Sequence, residues 1–185
     1  MDIPLIAVGL VAMPAIYFCN KLVRRKNEVD NATGSMNAAL QDRYDLIPEI
    51  VDTLKTHMYY ECDVLIKLTR IHARALSFNT SYVKKLELNS EITNVLKQVM
   101  GEVDNYPQLR SGNSFLQLQR KWMVVEATLA SCGNLYNHAV LEYNNAINGF
   151  PENMFADLLG YKTKTIFEVP QQGFITLKPQ QLFYN

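Results

Sequence analysis

Apolar residues in the last third of the chain recur with a fixed period. Phe115, Trp122, Leu129, Tyr136, Tyr143 and Phe150 are seven residues apart, and Leu118, Val125, Cys132, Ala139 and Ala146 follow the first five at a distance of three. A period near 3.5 turns all of these side chains toward one seam, so the pattern predicts a helix over residues 114–150 lying against partner helices of comparable length. At a rise of 1.5 Å per residue it is roughly 54 Å long. Ser114 and Gln117 have capping-box spacing at its start, and Gly149 with Pro151 predicts a left-handed stop at its end.

The remaining elements follow from weaker forms of the same pattern. Residues 3–19 form an apolar run without a charged residue, with Gly9 and Pro14 inside it. As a helix it spans roughly 25 Å, the short end of a transmembrane segment. A cleaved signal peptide wants positive charge before the apolar core and small residues after it, whereas here Asp2 precedes the run and Tyr17 and Phe18 end it. The residues before Cys19 are too bulky for a lipoprotein signal, and a buried core helix is the remaining alternative. The anchor reading prevails, and Lys21, Arg24, Arg25 and Lys26 directly after the run place the N-terminus outside and the body in the cytoplasm by the positive-inside rule. The same four charges could also attract anionic lipid headgroups.

Leu22, Val29 and Met36, with Ala32 and Ala39, carry the anchor onward as one rod to about Gln41. Pro48 implies a kink or a new helix capped by Asp45, and the favoured reading is a turn near Arg43 and Tyr44. A second helix then places Val51, Leu54, Met58, Leu65, Leu68 and Ala75 on one seam and runs to about Ser77. Residues 78–89 lose the pattern and read as a loop. Asn89 or Ser90 caps a third helix with Ile92, Val95, Leu96, Val99, Met100 and Val103 on its apolar face, ending before Tyr106 and Pro107. After the long fourth helix, residues 152–160 suggest a short amphipathic helix using Met154, Phe155, Leu158 and Leu159. The tail from Tyr161 has no period, and either packs back along the bundle or stays irregular.

The expected fold class is therefore all-α: an N-terminal transmembrane helix continuing into an antiparallel bundle of about four long helices. The expected organisation is an anchor at 1–20, a bundle at 21–160 and an irregular tail at 161–185. Eight glycines and seven prolines in 185 residues suit that class. Eighteen basic and 18 acidic residues balance, which argues against a nucleic-acid binder driven by overall charge. Cys19, Cys62 and Cys132 are far apart in apolar helical contexts and read as small core or lipid-facing residues in a reducing compartment.

Candidate chemistry is sparse. His57 with Glu61, and His138 with Glu142, are i, i+4 pairs that could offer two metal ligands on one helix face, but the Glu-x-x-His pattern of di-iron bundles is absent. Glu61 and His72 fall on the apolar seam of the second helix, where a buried polar side chain fixes register. No nucleophile lies beside a base, and Trp122 at a seam position reads as core packing. No catalytic, cofactor-binding or metal-binding residue is assigned, and no cofactor.

Several stretches together resemble the LemA family of bacterial and archaeal membrane proteins, over almost the whole chain. Val29, Asp30, Asn31 and Ala32 follow the basic segment where that family has a valine, a short polar stretch and an alanine. Residues 43–51, RYDLIPEIV, look like its arginine, aspartate, Leu-Ile-Pro hallmark. Tyr106, Pro107 and Leu109, with Asn113, Phe115, Leu116, Gln117, Leu118 and Gln119, match a second hallmark, and Glu126, Tyr136, Asn137, Val140, Tyr143, Asn144, Phe150, Pro151 and Ala156 a third. Thr33 stands where the family usually has tryptophan, and Met58 and Tyr60 replace its tyrosine and histidine before Glu61. The resemblance implies a membrane-anchored bundle and supplies no reaction. Two function classes follow: a non-enzymatic scaffold or interaction module at the cytoplasmic membrane, or a membrane-bound metal protein or enzyme with a site built across helices. The expected partners are the bilayer through residues 3–19 and a protein at the membrane; neither nucleic acid nor a small-molecule substrate is indicated.

Overall fold

A computed structural model describes residues 3–56, 62–77 and 82–167, with side chains at 13–56, 63–77 and 84–167. Every regular element among the described residues is a helix: α1 (Ile3–Asp45), α2 (Ile47–Lys55), α3 (Cys62–Ala75), α4 (Tyr82–Val103), α5 (Pro107–Arg110), α6 (Asn113–Asn148) and α7 (Glu152–Leu158). Among the described residues, backbone contacts divide the chain into two units, one formed by residues 3–36 and 131–167, the other by residues 37–130. Each unit thus takes one stretch of α1 and one stretch of α6.

In the second unit α1 runs on through Arg43 and Tyr44, both buried, so the turn expected there is absent. Leu46 alone interrupts the helix, with near-helical angles (φ −78°, ψ −17°), and Pro48 falls in the first turn of α2, where a missing N–H leaves no bond unmade. Asp45 does not cap α2; its carboxylate accepts from Gln41 Nε2 at 2.8 Å. The single helix expected from that turn to about Ser77 is two helices, α2 and α3, that pack against each other, and α3 packs on α4. Leu54, Leu68, Ile71 and Ala75 are buried between these elements, while Met58, Tyr60 and Glu61 lie outside the described residues. The loop expected up to Asn89 is wrong as well. α4 already begins at Tyr82, and Asn89 is buried inside it because its side chain has found a tertiary partner.

α6 confirms the long helix over residues 114–150 to within two residues and shows how its seam works. Phe115, Leu118 and Trp122 are buried in the second unit, and Tyr136, Val140, Tyr143 and Ile147 in the first. The partner of each seven-residue position therefore moves from three residues on to four residues on, leaving Val125, Cys132, Ala139 and Ala146 half-buried. A straight helix of 3.6 residues per turn drifts about 20° per heptad against a 3.5 repeat, which accounts for the shift. The termini differ from expectation. The Gly112 carbonyl accepts from Leu116 N–H, so Ser114 lies inside the first turn, and Gly149 has no positive φ.

In the first unit Leu22, Val29 and Met36 of α1 are buried as their spacing predicts. The left-handed glycine is Gly160 (φ 69°), just after α7. Gly160 N–H donates to the Asp157 carbonyl and Tyr161 N–H to the Ala156 carbonyl, the paired bonds of a Schellman stop. That turn directs residues 161–167 back along α6.

No helix among the described residues is long and apolar enough to cross a membrane, so the transmembrane span expected at 3–19 is not supported by the structure. The run is short, carries Pro4 and Pro14, and passes without a break into the charged part of α1.

The α6 seam makes a direct prediction. Truncating buried Trp122 or Leu129 to alanine should cost roughly 2 to 5 kcal/mol, whereas Asn134→Ala, on an exposed position, should stay within about 0.5 kcal/mol. Lys121→Ala removes only an exposed pair with Glu49 and should cost under about 1 kcal/mol. Thermal unfolding of the four variants compares them; equal losses on and off the seam would refute the period.

Candidate functional site

Two polar constellations lie against α6, one in each unit. In the second, Arg43 continues the seam of Leu22, Val29 and Met36 at the next seven-residue step, and it is only 2% exposed. Nε of its guanidinium meets Glu126 Oε1 of α6 at 2.8 Å. The approach is too bent for a good hydrogen bond, so the attraction is mainly charge on charge. One Nη donates to the Asn89 carbonyl at 3.2 Å and to the Asn89 side-chain oxygen, and the other to Thr93 Oγ1 at 2.9 Å. The guanidinium plane also lies 5.0 Å from the Trp122 ring centroid. One side chain thereby ties α1, α4 and α6, using the planar fork and the stacking face that lysine lacks.

Burial dominates the electrostatics. It lowers the proton affinity of Arg43, against the pull of Glu126, and raises that of Glu126, against the pull of Arg43. Next to Arg43, the Tyr44 hydroxyl donates to the Lys85 carbonyl at 2.7 Å, and burial pushes its pKa up to about 12.

In the first unit the dyads Tyr136-Asn137 and Tyr143-Asn144 are seven residues apart on α6 and hold the segment 162–167 by its backbone. Asn144 donates Nδ2 to the Lys164 carbonyl at 2.8 Å and accepts from Lys164 N–H at 2.9 Å. Asn137 does the same with Phe167, both at 2.7 Å. The Tyr143 hydroxyl donates to the Lys162 carbonyl at 3.0 Å and the Tyr136 hydroxyl to the Thr165 carbonyl at 3.1 Å. Burial raises both phenols, which keeps them protonated donors at neutral pH. Seven residues of helix rise about 10.5 Å, and three residues of chain reach that far only when extended, at about 3.3–3.6 Å each. The strap is therefore drawn straight. It is fastened to α1 as well, by Lys164 to Asp30 at 3.0 Å and by Lys26 over the Tyr161 ring.

Two cavities lie among the described residues of the second unit. A cavity of about 40 Å³ beside Trp122 is lined by apolar side chains and the Gln119 amide, and one polar partner is too few to hold even a water well. A wider surface groove of about 570 Å³ near Asp45, Glu49 and Asp52 has its carboxylates committed to Gln41, Lys121 and Lys55. His138 is exposed and Glu142 pairs with Arg25 at 2.8 Å; His57 and Glu61 lie outside the described residues. His72 is half-buried on α3. Among the described residues no three metal-ligating side chains converge.

A family model described as the LemA family matches residues 32–180. The chain belongs to the LemA family. Protein LemA of Metamycoplasma hominis is 22% identical over 167 residues, which is 90% of this chain and 76% of that protein. Magnetosome proteins MamQ 1 and MamQ 2 of Paramagnetospirillum magneticum are each 28% identical over 90 residues, 49% of this chain and 33% of theirs. The LemA hallmarks that the sequence displays now have physical roles: Arg43, Glu126, Tyr136, Asn137, Tyr143 and Asn144 are the fastening points just described.

Reasoning on residue types missed those roles, although signals existed. An arginine at a seven-residue seam position announces a buried charge in need of partners, and a Tyr-Asn dyad repeated at seven residues announces a ladder. Asn89 carried no such mark.

Two predictions follow from the geometry. Asn137→Ala or Asn144→Ala leaves a half-buried N–H and C=O unpaired, costing about 1–3 kcal/mol. Both act through one strap, so the double variant should cost less than the sum in denaturant unfolding; full additivity would mean the rungs are independent. For Glu126, the folded value lies above the ordinary 4.5, so the unfolded chain ionises first. Its contribution is fully present below 4.5 and lost as pH rises through the raised folded value. Wild-type stability should therefore fall relative to Glu126→Gln across that window, measured by unfolding from about pH 4 to about pH 8. A relative rise would mean that Arg43 outweighs burial.

Proposed function

We propose that this LemA-family chain is a non-enzymatic helical scaffold held at the cytoplasmic membrane, with its N-terminus outside and its body in the cytoplasm. The observation that supports the non-enzymatic reading most is how the hallmark polar groups are used. The Arg43 fork, the Asn137 and Asn144 amides and the Tyr136 and Tyr143 hydroxyls are spent on joining elements of the fold. Catalysis needs such groups aimed at a substrate; here they supply rigidity, which suits a surface presented to a protein partner. Tethering raises the effective concentration of such a surface, so weak contacts suffice.

The uncharged apolar run at 3–19 supports the anchoring. The basic cluster contributes less to lipid attraction than its charges suggest. Lys21 pairs with Glu152, and Arg24 and Arg25 with Glu28. Its role is then to set orientation during insertion, before the folded body brings Glu142 to Arg25 and Glu152 to Lys21. Membrane fractionation tests the reading: the full chain should stay with membranes through alkaline extraction, and a variant lacking residues 2–19 should be soluble and keep its helical circular dichroism. Release of the full chain, or collapse of the truncated one, would overturn it.

A further inference from the structure

The first unit ends in an apolar surface that its own packing leaves uncovered. On α7, Glu152 and Ala156 face inward, while Met154 is 65% and Leu158 is 85% exposed. Phe150, four residues before Met154, is 83% exposed. Met154 and Leu158, four residues apart within α7, share one helix face, and Phe150 is exposed in the turn before it. α7 lies antiparallel to the adjacent part of α1, because Glu152 meets Lys21 at 2.6 Å and Phe155 stacks on Phe18 at 5.8 Å. On that part of α1, Met13 (79%), Ile16 (60%) and Tyr17 (65%) are exposed too. Isolated exposed apolar side chains are ordinary, but a cluster of six large ones marks a contact surface.

We infer that α7 is a second lipid-contacting element: its Met154 and Leu158 face enters the headgroup and upper acyl region of a bilayer beside the start of α1. Three observations select lipid over a protein groove. The surface adjoins the uncharged apolar run of the same helix, 3–19. Aromatic side chains Tyr17, Phe18 and Phe155 gather where that run gives way to the first charges, as aromatic belts do at membrane interfaces. The dimension also fits. From Glu152 at the level of Lys21 to Leu158, α7 rises about 9 Å toward the apolar run, enough to pass a headgroup layer of about 6 Å and reach the upper acyl region. Exposed Asp157 near that end limits how far the helix sinks, since a carboxylate is costly deeper in the hydrocarbon.

This inference rests on the membrane reading above, and one experiment separates their failures. The full chain, with Cys19, Cys62 and Cys132 changed to serine and a single cysteine at position 154, 158 or 134, is labelled with an environment-sensitive fluorophore. It is then reconstituted into phosphatidylcholine vesicles carrying a shallow spin-label quencher. Labels at Met154→Cys and Leu158→Cys should emit blue-shifted light and be quenched several-fold more than the label at exposed Asn134→Cys. Equal, water-like emission at all three positions in protein that floats with the vesicles would overturn the α7 contact and leave the anchor standing. A blue shift without quenching would overturn it in favour of contact with a second copy. Failure of the chain to float would overturn both.

Discussion

Seven residues of α-helix and three residues of extended chain cover nearly the same distance, about 10 Å. The first unit is built on that coincidence. The apolar side of α6 repeats every seven residues because the helix must lie against others, and the neighbouring file of the same repeat carries Asn137 and Asn144. Each amide offers a donor and an acceptor in the arrangement of a peptide edge, so each can pair both groups of one strap residue. The amides read backbone, and the Lys164 side chain and the buried Phe167 ring add contacts of their own. This fastening also sets where α7 lies, since the turn at Gly160 joins α7 directly to the strap.

The second unit depends on a different constraint, the cost of burying a charge. Arg43 occupies a position that the seam reserves for an apolar residue, and an isolated guanidinium there would be prohibitively unstable. Asn89, Thr93, Glu126 and Trp122 between them use its donors, its charge and its planar face. Such a network does less for stability than a well-packed apolar core of the same volume and more for specificity, because only one alignment of α1, α4 and α6 satisfies it. Both units thus use polar hallmark residues to fix register, which is why the LemA hallmarks read as architecture more readily than as chemistry.

What was legible in the sequence follows the strength of its periodicity. α6, the buried Leu22, Val29 and Met36 and the all-helical class came from repeated apolar spacing that no tertiary contact reverses, whereas α7 forms where expected but buries Glu152 and Ala156 and leaves Met154, Leu158 and Leu159 exposed. The errors fall where tertiary contacts outweigh local preference. Asn89 has the propensity of a cap but sits inside α4 because Arg43 is its partner. Tyr44 and Pro48 suggested a turn, yet Tyr44 is anchored to Lys85 and Pro48 sits harmlessly in the first turn of α2. The strap was illegible because its order comes from α6: residues 161–167 have no period of their own. Gly149 beside Pro151 imitated a left-handed stop, while the glycine that needs positive φ was Gly160.

The account stands most directly on the ladder, and native-state hydrogen exchange reads it one amide at a time. Lys164 and Phe167 donate to Asn144 and Asn137, whereas Thr165 and Ile166 between them are exposed. Protection at Lys164 and Phe167, with fast exchange at Thr165 and Ile166, is the predicted pattern, and Asn137→Ala should abolish it at Phe167. Uniformly fast exchange from 162 to 167 would contradict the ladder and the role it gives the repeated Tyr-Asn dyads.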